Sequence, residues 1–297
     1  MDSNIGTGAK ARFQVKPTGG PLGADIVGFP FDDFTQTDVD QMRRAWIDHL
    51  VLRFRHTKIT DEQQIRFSGM LGRFVIHPRQ MQEGTHGAHR EILVISNAKK
   101  ADGSPAGDLG DGEVKWHTDT WFQERPPAAS ILRAIKLPTE GGNTYFLNMY
   151  MAYETLPEAL KKAVEGRFIH HQKVYDGRGD IRMGETKPKD DDIRTWPGMP
   201  HPIVRTHGES GRKALYLGGR RKPWIIGLPL DESEDLLNKI WEHVIQERFV
   251  WGQVWEMGDM VMWDNRCVMH RRDPFDPNSI RLMHRTAIQG ERPVLSL

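Results

Sequence analysis

A single cysteine, Cys267, in 297 residues excludes an internal disulfide and cysteine-rich zinc or iron–sulfur centres, so any metal chemistry must use histidine and carboxylate. Net charge is nearly absent as well: 41 Lys and Arg stand against 40 Asp and Glu, a formal +1. That balance points neither to nucleic acid nor to an anionic membrane, and an anionic ligand has to be caught locally. Long apolar runs are missing. The start, Met1 to Val15, has no hydrophobic stretch of signal-peptide length, and no window approaches the ~18 apolar residues of a membrane helix. A cytoplasmic protein with no membrane or nucleic-acid partner is therefore expected. There is also no GxxxxGK[ST] loop, no GxGxxG fingerprint and no internal repeat, which leaves phosphate-cradling loops unsupported.

What is present is enough for a substantial core: 38% hydrophobic residues, with nine tryptophans. Helical periodicity is confined to four places. Val39, Met42, Trp46 and Leu50 recur at helical spacing, Thr60 and Gln63 fit a capping box, and "LPEALKKAVEG" and "LDESEDLLNKIWEHVIQ" read as two further helices. The remainder is strand-like, in short runs: "ASILRAI", "NTYFLNM", "HPIVRTH", "KALYLGG", "FVWGQVW", "DMVMWDN" and "IRLMHRTAIQG". Without βαβ alternation, a mostly antiparallel β core flanked by helices is expected. Two long Gly/Asp/Pro-rich segments, 99–113 and 176–200, read as loops that cover a site or carry no fixed structure.

Chemistry concentrates at His117-Thr118-Asp119 and at His270. On a strand, residues two apart point to one face about 6–7 Å from each other, which suits two ligands of one ion. His270 follows an apolar strand and a polar turn, and is singled out from the thirteen histidines as the third ligand. Two histidines and one carboxylate with open positions suit non-haem Fe(II), although the same triad on Zn2+ would serve a hydrolase. In "IRLMHRTAI", Arg281 and Arg285 are four apart, on one strand face and about 13 Å from each other at Cα. Two inward guanidiniums call for anions of carboxylate or sulfonate type. A jelly-roll that only binds an anion through these arginines is a further reading.

At these residues the chain resembles a known family. "WHTD", "LPTEGGNTYFLNMYMAYETLP", "HPIVRTHGESGRKALYL" and "MVMWDNRCVMHRRDPFDPNSIRLMHRTAIQG", in that order between about Gly23 and Pro293, are similar to the Fe(II)- and 2-oxoglutarate-dependent dioxygenases of the taurine dioxygenase and 2,4-dichlorophenoxyacetate dioxygenase family. The resemblance implies a mostly β fold with flanking helices, a double-stranded β-helix or jelly-roll core, in a single domain over 1–297. It implies Fe(II), 2-oxoglutarate and dioxygen as cofactor and cosubstrates, with His117, Asp119 and His270 as catalytic iron ligands. Thr144 and Arg281 match positions that hold 2-oxoglutarate; Arg285 and His77 match substrate contacts.

Glu113 falls in a region where the taurine enzyme has an asparagine, and Gln80 stands where it has a tyrosine. An acidic residue facing a sulfonate is unfavourable, so a small organic anion, an aromatic or aliphatic carboxylate, is expected rather than taurine. The implied reaction hydroxylates a C–H, and cleaves the product when that carbon carries an ether oxygen, sulfonate or amine. A homo-oligomer, dimer or tetramer, is the family's usual assembly.

Overall fold

Thr35 starts the first helix: its hydroxyl accepts from the Asp38 N–H at 3.4 Å, and the Asp38 carboxylate accepts from the Thr35 N–H at 2.8 Å. This reciprocal cap satisfies two of the helix's orphan donors and fixes the start of Gln36–His49. Thr60 and Gln63 repeat it ahead of Asp61–Gly69, as the spacing predicts. The structure is a computed structural model that describes residues 12–76, 89–104, 106–109, 112–176 and 179–295. His77, Gln80, His86 and Arg178 lie outside the described residues.

Both helices lie on the outer face of an eight-stranded sheet ordered Gln14–Pro17, Ala24–Val27, Val51–Phe54, Met260–Asp264, Pro127–Lys136, Leu282–Gln289, Leu93–Ser96 and Asp108–Leu109. Among the described residues only the Ala24–Val27/Val51–Phe54 and Leu93–Ser96/Asp108–Leu109 pairs are parallel. The two-residue alternation of a strand sorts its side chains by layer. Met260, Met262, Ile131 and Ile288 join Val39, Met42, Trp46 and Phe67 under the helices. Val261, Trp263, Leu132 and Met283 point the other way, into the second core.

That inner core is closed by a four-stranded sheet ordered Val250–Gln253, Thr144–Asn148, Val268–Arg272 and Val114–His117. Phe146 of this sheet meets Trp263 of the larger one with ring centroids 5.5 Å apart. Beyond it pack the helices Met149–Glu154 and Leu230–Val244, which bury Met149, Tyr150, Leu237 and Ile240 in the same cluster. The two-sheet architecture is the expected jelly-roll.

Some boundaries differ from the sequence reading, each for a local reason. The run "NTYFLNM" stops at Asn148, whose side chain accepts from the Tyr150 and Met151 N–H groups and turns the chain into a short helix. "HPIVRTH" is broken at Ile203 into Gly198–Pro202 and Val204–Thr206, which pair with different partners. His170 and His171 lie inside the strand Phe168–Gln172, a run absent from the strand-like segments read in the sequence.

Candidate metal centre and flanking arginines

His117 ends the strand Val114–His117, opposite His270 in the antiparallel register. Their rings lie 4.2 Å apart at the centroids. The expectation that Asp119 shares a strand face with His117 is corrected: the strand stops at His117, and Asp119 sits in the following turn. Thr118 donates its N–H to the Gly218 carbonyl at 2.8 Å, and Thr120 takes a φ of 38°, a strained value for a β-branched residue of the kind found at functional turns. This turn, not the two-residue period, carries the carboxylate back to the histidines. Candidate ligand atoms of His117, Asp119 and His270 all lie within 4.8 Å of one another. His270 Nε2 and Asp119 Oδ1 are 3.9 Å apart, inside the ~4.4 Å that two ligand bonds of about 2.2 Å span.

Protonation suits a metal. A carbonyl only accepts, so the 2.8 Å contact between His117 Nδ1 and the Lys115 oxygen puts the proton on Nδ1 and leaves the Nε2 lone pair for an ion. Burial lowers the His117 pKa against the pull of Asp119. Burial, joined by His117, pushes His270 down to about 3. For Asp119 burial pulls upward, but Arg285, His270 and His117 outweigh it and hold the carboxyl below its usual range. Two neutral imidazoles and a carboxylate are the forms a divalent cation binds. Mn(II) binding at pH 7 is therefore expected to release fewer than about one proton. Calorimetry in buffers of differing ionisation enthalpy measures this, and release of one proton per histidine would contradict the depressed values.

Asp119 is fixed by partners from two strands and from the turn that follows Met260–Asp264. Its Oδ2 accepts from Ser130 Oγ at 2.6 Å and its Oδ1 from Arg285 Nη1 at 2.8 Å. Asn265 Oδ1 accepts from the Asp119 N–H at 3.3 Å and from Trp263 Nε1 at 3.0 Å, while its Nδ2 donates to Ser130 Oγ. Ser130 and the orienting role of Asn265 were not anticipated. "WDNR" was visible as a motif, but only the fold shows that its asparagine braces the carboxylate; for Ser130 the sequence holds no signal.

A second polar corner forms around Arg281, which directly precedes the strand Leu282–Gln289. This side chain is 2% exposed, and its Nε and Nη2 have no hydrogen-bond partner among the described residues. Burial and the nearby Arg272 pull the guanidinium down to about 9. Such a cation is costly until an anion pairs with it. The close approach has a backbone cause. Gly141 and Gly142 take φ of 76° and 65°; a Cβ on Gly141 would lie 2.6 Å from the Pro274 oxygen, and one on Gly142 3.1 Å from Arg281 Cδ. Thr144 begins the next strand, buried, and its Oγ1 accepts from Trp255 Nε1 at 3.0 Å, which leaves the hydroxyl proton for another acceptor. Trp255 in turn lies under Arg281, 6.0 Å from guanidinium carbon to ring centroid. Trp255 and Arg272 are further members that sequence reasoning missed.

Arg285 lines a small cleft with Leu93, Thr120 and Gln123, and its Nε is buried without a partner. Glu113 is exposed just ahead of the strand Val114–His117. A second cluster, His207, Asp264 and Cys267, also brings ligand-type atoms together. Its histidine and carboxylate are already engaged: His207 Nδ1 accepts from the Glu209 and Ser210 N–H groups, Nε2–H donates to Asp264, and Arg266 grips the same carboxylate through Nε and Nη2. It is a structural knot beneath the sheet, satisfied without an ion.

Two imidazoles and one carboxylate, set between two sheets beside a buried guanidinium that lacks an anion, define the site of a 2-oxoglutarate-dependent non-haem iron dioxygenase. Residues 14–287 match the family described as "Taurine catabolism dioxygenase TauD, TfdA family". The chain is 34% identical over 255 residues to the alpha-ketoglutarate-dependent 2,4-dichlorophenoxyacetate dioxygenase of Burkholderia sp. (strain RASC), covering 83% of this chain and 84% of that one. It is 32% identical over 296 residues to the alpha-ketoglutarate-dependent sulfate ester dioxygenase of Pseudomonas putida, covering 95% and 91%.

Among solved structures, it is similar to AAD-2 in complex with Mn(II) and N-oxalylglycine, with TM-score 0.77, 28% identity and coverage of 95% and 99%. A taurine dioxygenase from Burkholderia xenovorans gives 0.75, 30%, and 95% and 93%. The chain belongs to the TauD/TfdA family, and its chemistry uses Fe(II), 2-oxoglutarate and dioxygen. Family membership sets aside the hydrolase and the binding-only readings. No helix among the described residues is long and apolar enough to cross a membrane.

Proposed function

We propose that this dioxygenase hydroxylates a C–H of a small organic anion, a carboxylate or sulfonate of aryloxyalkanoate-like shape, with oxidative cleavage when the attacked carbon bears a heteroatom leaving group. The observation that carries it is Arg285, held on the inner face against Asp119 with one buried N–H lacking a partner among the described residues. The names of the relatives, which act on 2,4-dichlorophenoxyacetate and on sulfate esters, support the same class. In balance, substrate, 2-oxoglutarate and dioxygen give hydroxylated substrate, succinate and carbon dioxide, one oxygen atom going to each of the first two products. Dioxygen is the oxidant: 2-oxoglutarate would supply two of the four electrons it takes up and the substrate C–H the other two, with the bound iron mediating the transfer.

The chain supplies placement. His117, Asp119 and His270 hold the ion, and Ser130, Asn265 and Arg285 orient the carboxylate. Arg281 grips the far carboxylate of 2-oxoglutarate, where Thr144 donates its hydroxyl proton; Trp255 dries that corner. Arg285 faces the substrate's charged end; His77 is a further substrate contact on the strength of the motif match, and Glu113, which departs from that match, is a substrate contact by its place ahead of His117. The family match over residues 14–287 supports one catalytic domain. A cytoplasmic homo-oligomer, dimer or tetramer, is part of the same reading and rests on family membership; light scattering that returns a monomer would contradict the assembly.

Succinate formation across a panel of phenoxyacetates, alkyl sulfates, alkanesulfonates and amino acids tests the substrate class. Turnover is expected with one of the first three groups. Activity confined to amino acids would contradict it.

A further inference from the structure

Asp119 reaches the iron-binding histidines from a turn, so the turn itself has to be held. At its start, the bond from the Thr118 N–H to the Gly218 carbonyl and the bridge between His117 and Gly219 tie it to one stretch of backbone. Trp121 is seated on the same two glycines: a Cβ would come within 2.4 Å of the indole at Gly218 and within 2.8 Å at Gly219. Thr120, between these anchors, takes its φ of 38°. A β-branched residue keeps such a value only where its surroundings over-determine it. The turn closes with the Gln123 N–H donating to the Thr120 carbonyl at 3.0 Å, so whatever fixes Gln123 also fixes Thr120.

Gln123 is fixed by His201, from the strand Gly198–Pro202. The imidazole donates its Nε2–H to the Gln123 carbonyl at 2.8 Å; a carbonyl only accepts, which places the proton on Nε2. His201 is 0% exposed. Burial lowers its pKa to about 4 against the pull of the Gln123 and Trp121 carbonyls, and Arg205 and Arg292 add to the fall. The ring is therefore a neutral donor at pH 7. Its Nδ1 is buried with no partner among the described residues, and His171 and Tyr216 meet it through ring contacts at 5.8 and 5.6 Å. An apolar ring would fill this place without an unsatisfied nitrogen. The directional bonding of the imidazole goes to the turn.

We propose that His201 is a positioning residue for the metal centre: by holding Gln123 it keeps the strained turn closed and Asp119 within reach of the ion. The inference rests on the metal-centre reading and adds to it a side chain that bonds to none of the three ligands.

The test compares His201→Phe, which keeps a flat ring and loses the donor, with His201→Gln, whose amide carries an N–H to about the reach of Nε2. Mn(II) affinity by calorimetry and amide exchange of Gln123 in the metal-free protein are read beside urea midpoints. His201→Phe is expected to weaken Mn(II) binding by roughly tenfold or more and to speed Gln123 exchange selectively, and His201→Gln to recover a large part of both. Thr120→Gly relieves the left-handed strain, so beside it His201→Phe is expected to cost less metal affinity than it does alone. Where His201→Phe does not fold, His201→Asn, whose shorter amide does not reach Gln123, takes its place. Unchanged Mn(II) affinity and Gln123 exchange would overturn the proposal. So would a loss that His201→Gln does not recover, or one equally large beside Thr120→Gly. A wild type that binds no Mn(II) would instead overturn the metal-centre reading, and the exchange comparison would still decide whether His201 holds the turn.

Discussion

Asp119→Ala is expected to abolish Mn(II) or Fe(II) retention and turnover, and to destabilise the metal-free fold by about 3–5 kcal/mol. The carboxylate is the only anionic member of the triad, so its loss leaves two neutral imidazoles to hold a hard divalent cation. It is also the acceptor for Arg285 and Ser130, so removal leaves a largely buried guanidinium without its counter-charge. That penalty is larger than the loss of the contact itself, because the stranded charge stays desolvated. Metal content after dialysis and urea unfolding midpoints measure the two effects separately. Metal retention within about tenfold of wild type would contradict the assignment. A stability loss alone would show that Asp119 only neutralises Arg285.

Arg281→Met is expected to act in the opposite way on the metal-free protein. The guanidinium is 2% exposed, two of its nitrogens lack partners among the described residues, and burial with Arg272 brings it down from the usual guanidinium range to about 9. A cation with a lowered folded-state pKa is a cost to the fold at every pH below about 9, relieved only as the pH rises through 9 towards the value of a free guanidinium. An anion relieves it at neutral pH. Replacing Arg281 with methionine, an unbranched apolar side chain, should hold or raise the melting temperature without ligand. It should also raise the 2-oxoglutarate concentration for half-saturation by roughly a hundredfold or more, since truncating one partner of a buried charge pair costs several kcal/mol. Thermal shift with and without 2-oxoglutarate, beside succinate assays, reads both. A lowered melting temperature with unchanged 2-oxoglutarate dependence would make Arg281 a structural residue.

The layers of the fold were legible where the chain states them locally. Thr60 is a helix start because its hydroxyl and Gln63, three positions on, cap each other, and that is visible as spacing; the same device at Thr35 was not read. The inner strand was legible in "IRLMHRTAI", although Arg281, expected on it with Arg285, lies just ahead of Leu282–Gln289. Asp119 was identified for a reason only partly right. A two-residue spacing suggested a strand face, whereas the turn through Thr118 and Thr120, pinned to Gly218 about a hundred residues away, does the positioning. Ser130, Asn265 and Trp255 reach their roles through pairing between strands distant in sequence, and no local pattern encodes that.

The shared central claim is that the triad and Arg281 together hold iron with 2-oxoglutarate. Adding Fe(II) and then 2-oxoglutarate to the protein without oxygen measures this directly. A weak visible charge-transfer band that saturates with 2-oxoglutarate is the expected result, because cosubstrate chelation at a His117/Asp119/His270-bound iron produces it. Iron demonstrably bound to those residues, with no band at saturating 2-oxoglutarate, would contradict the claim.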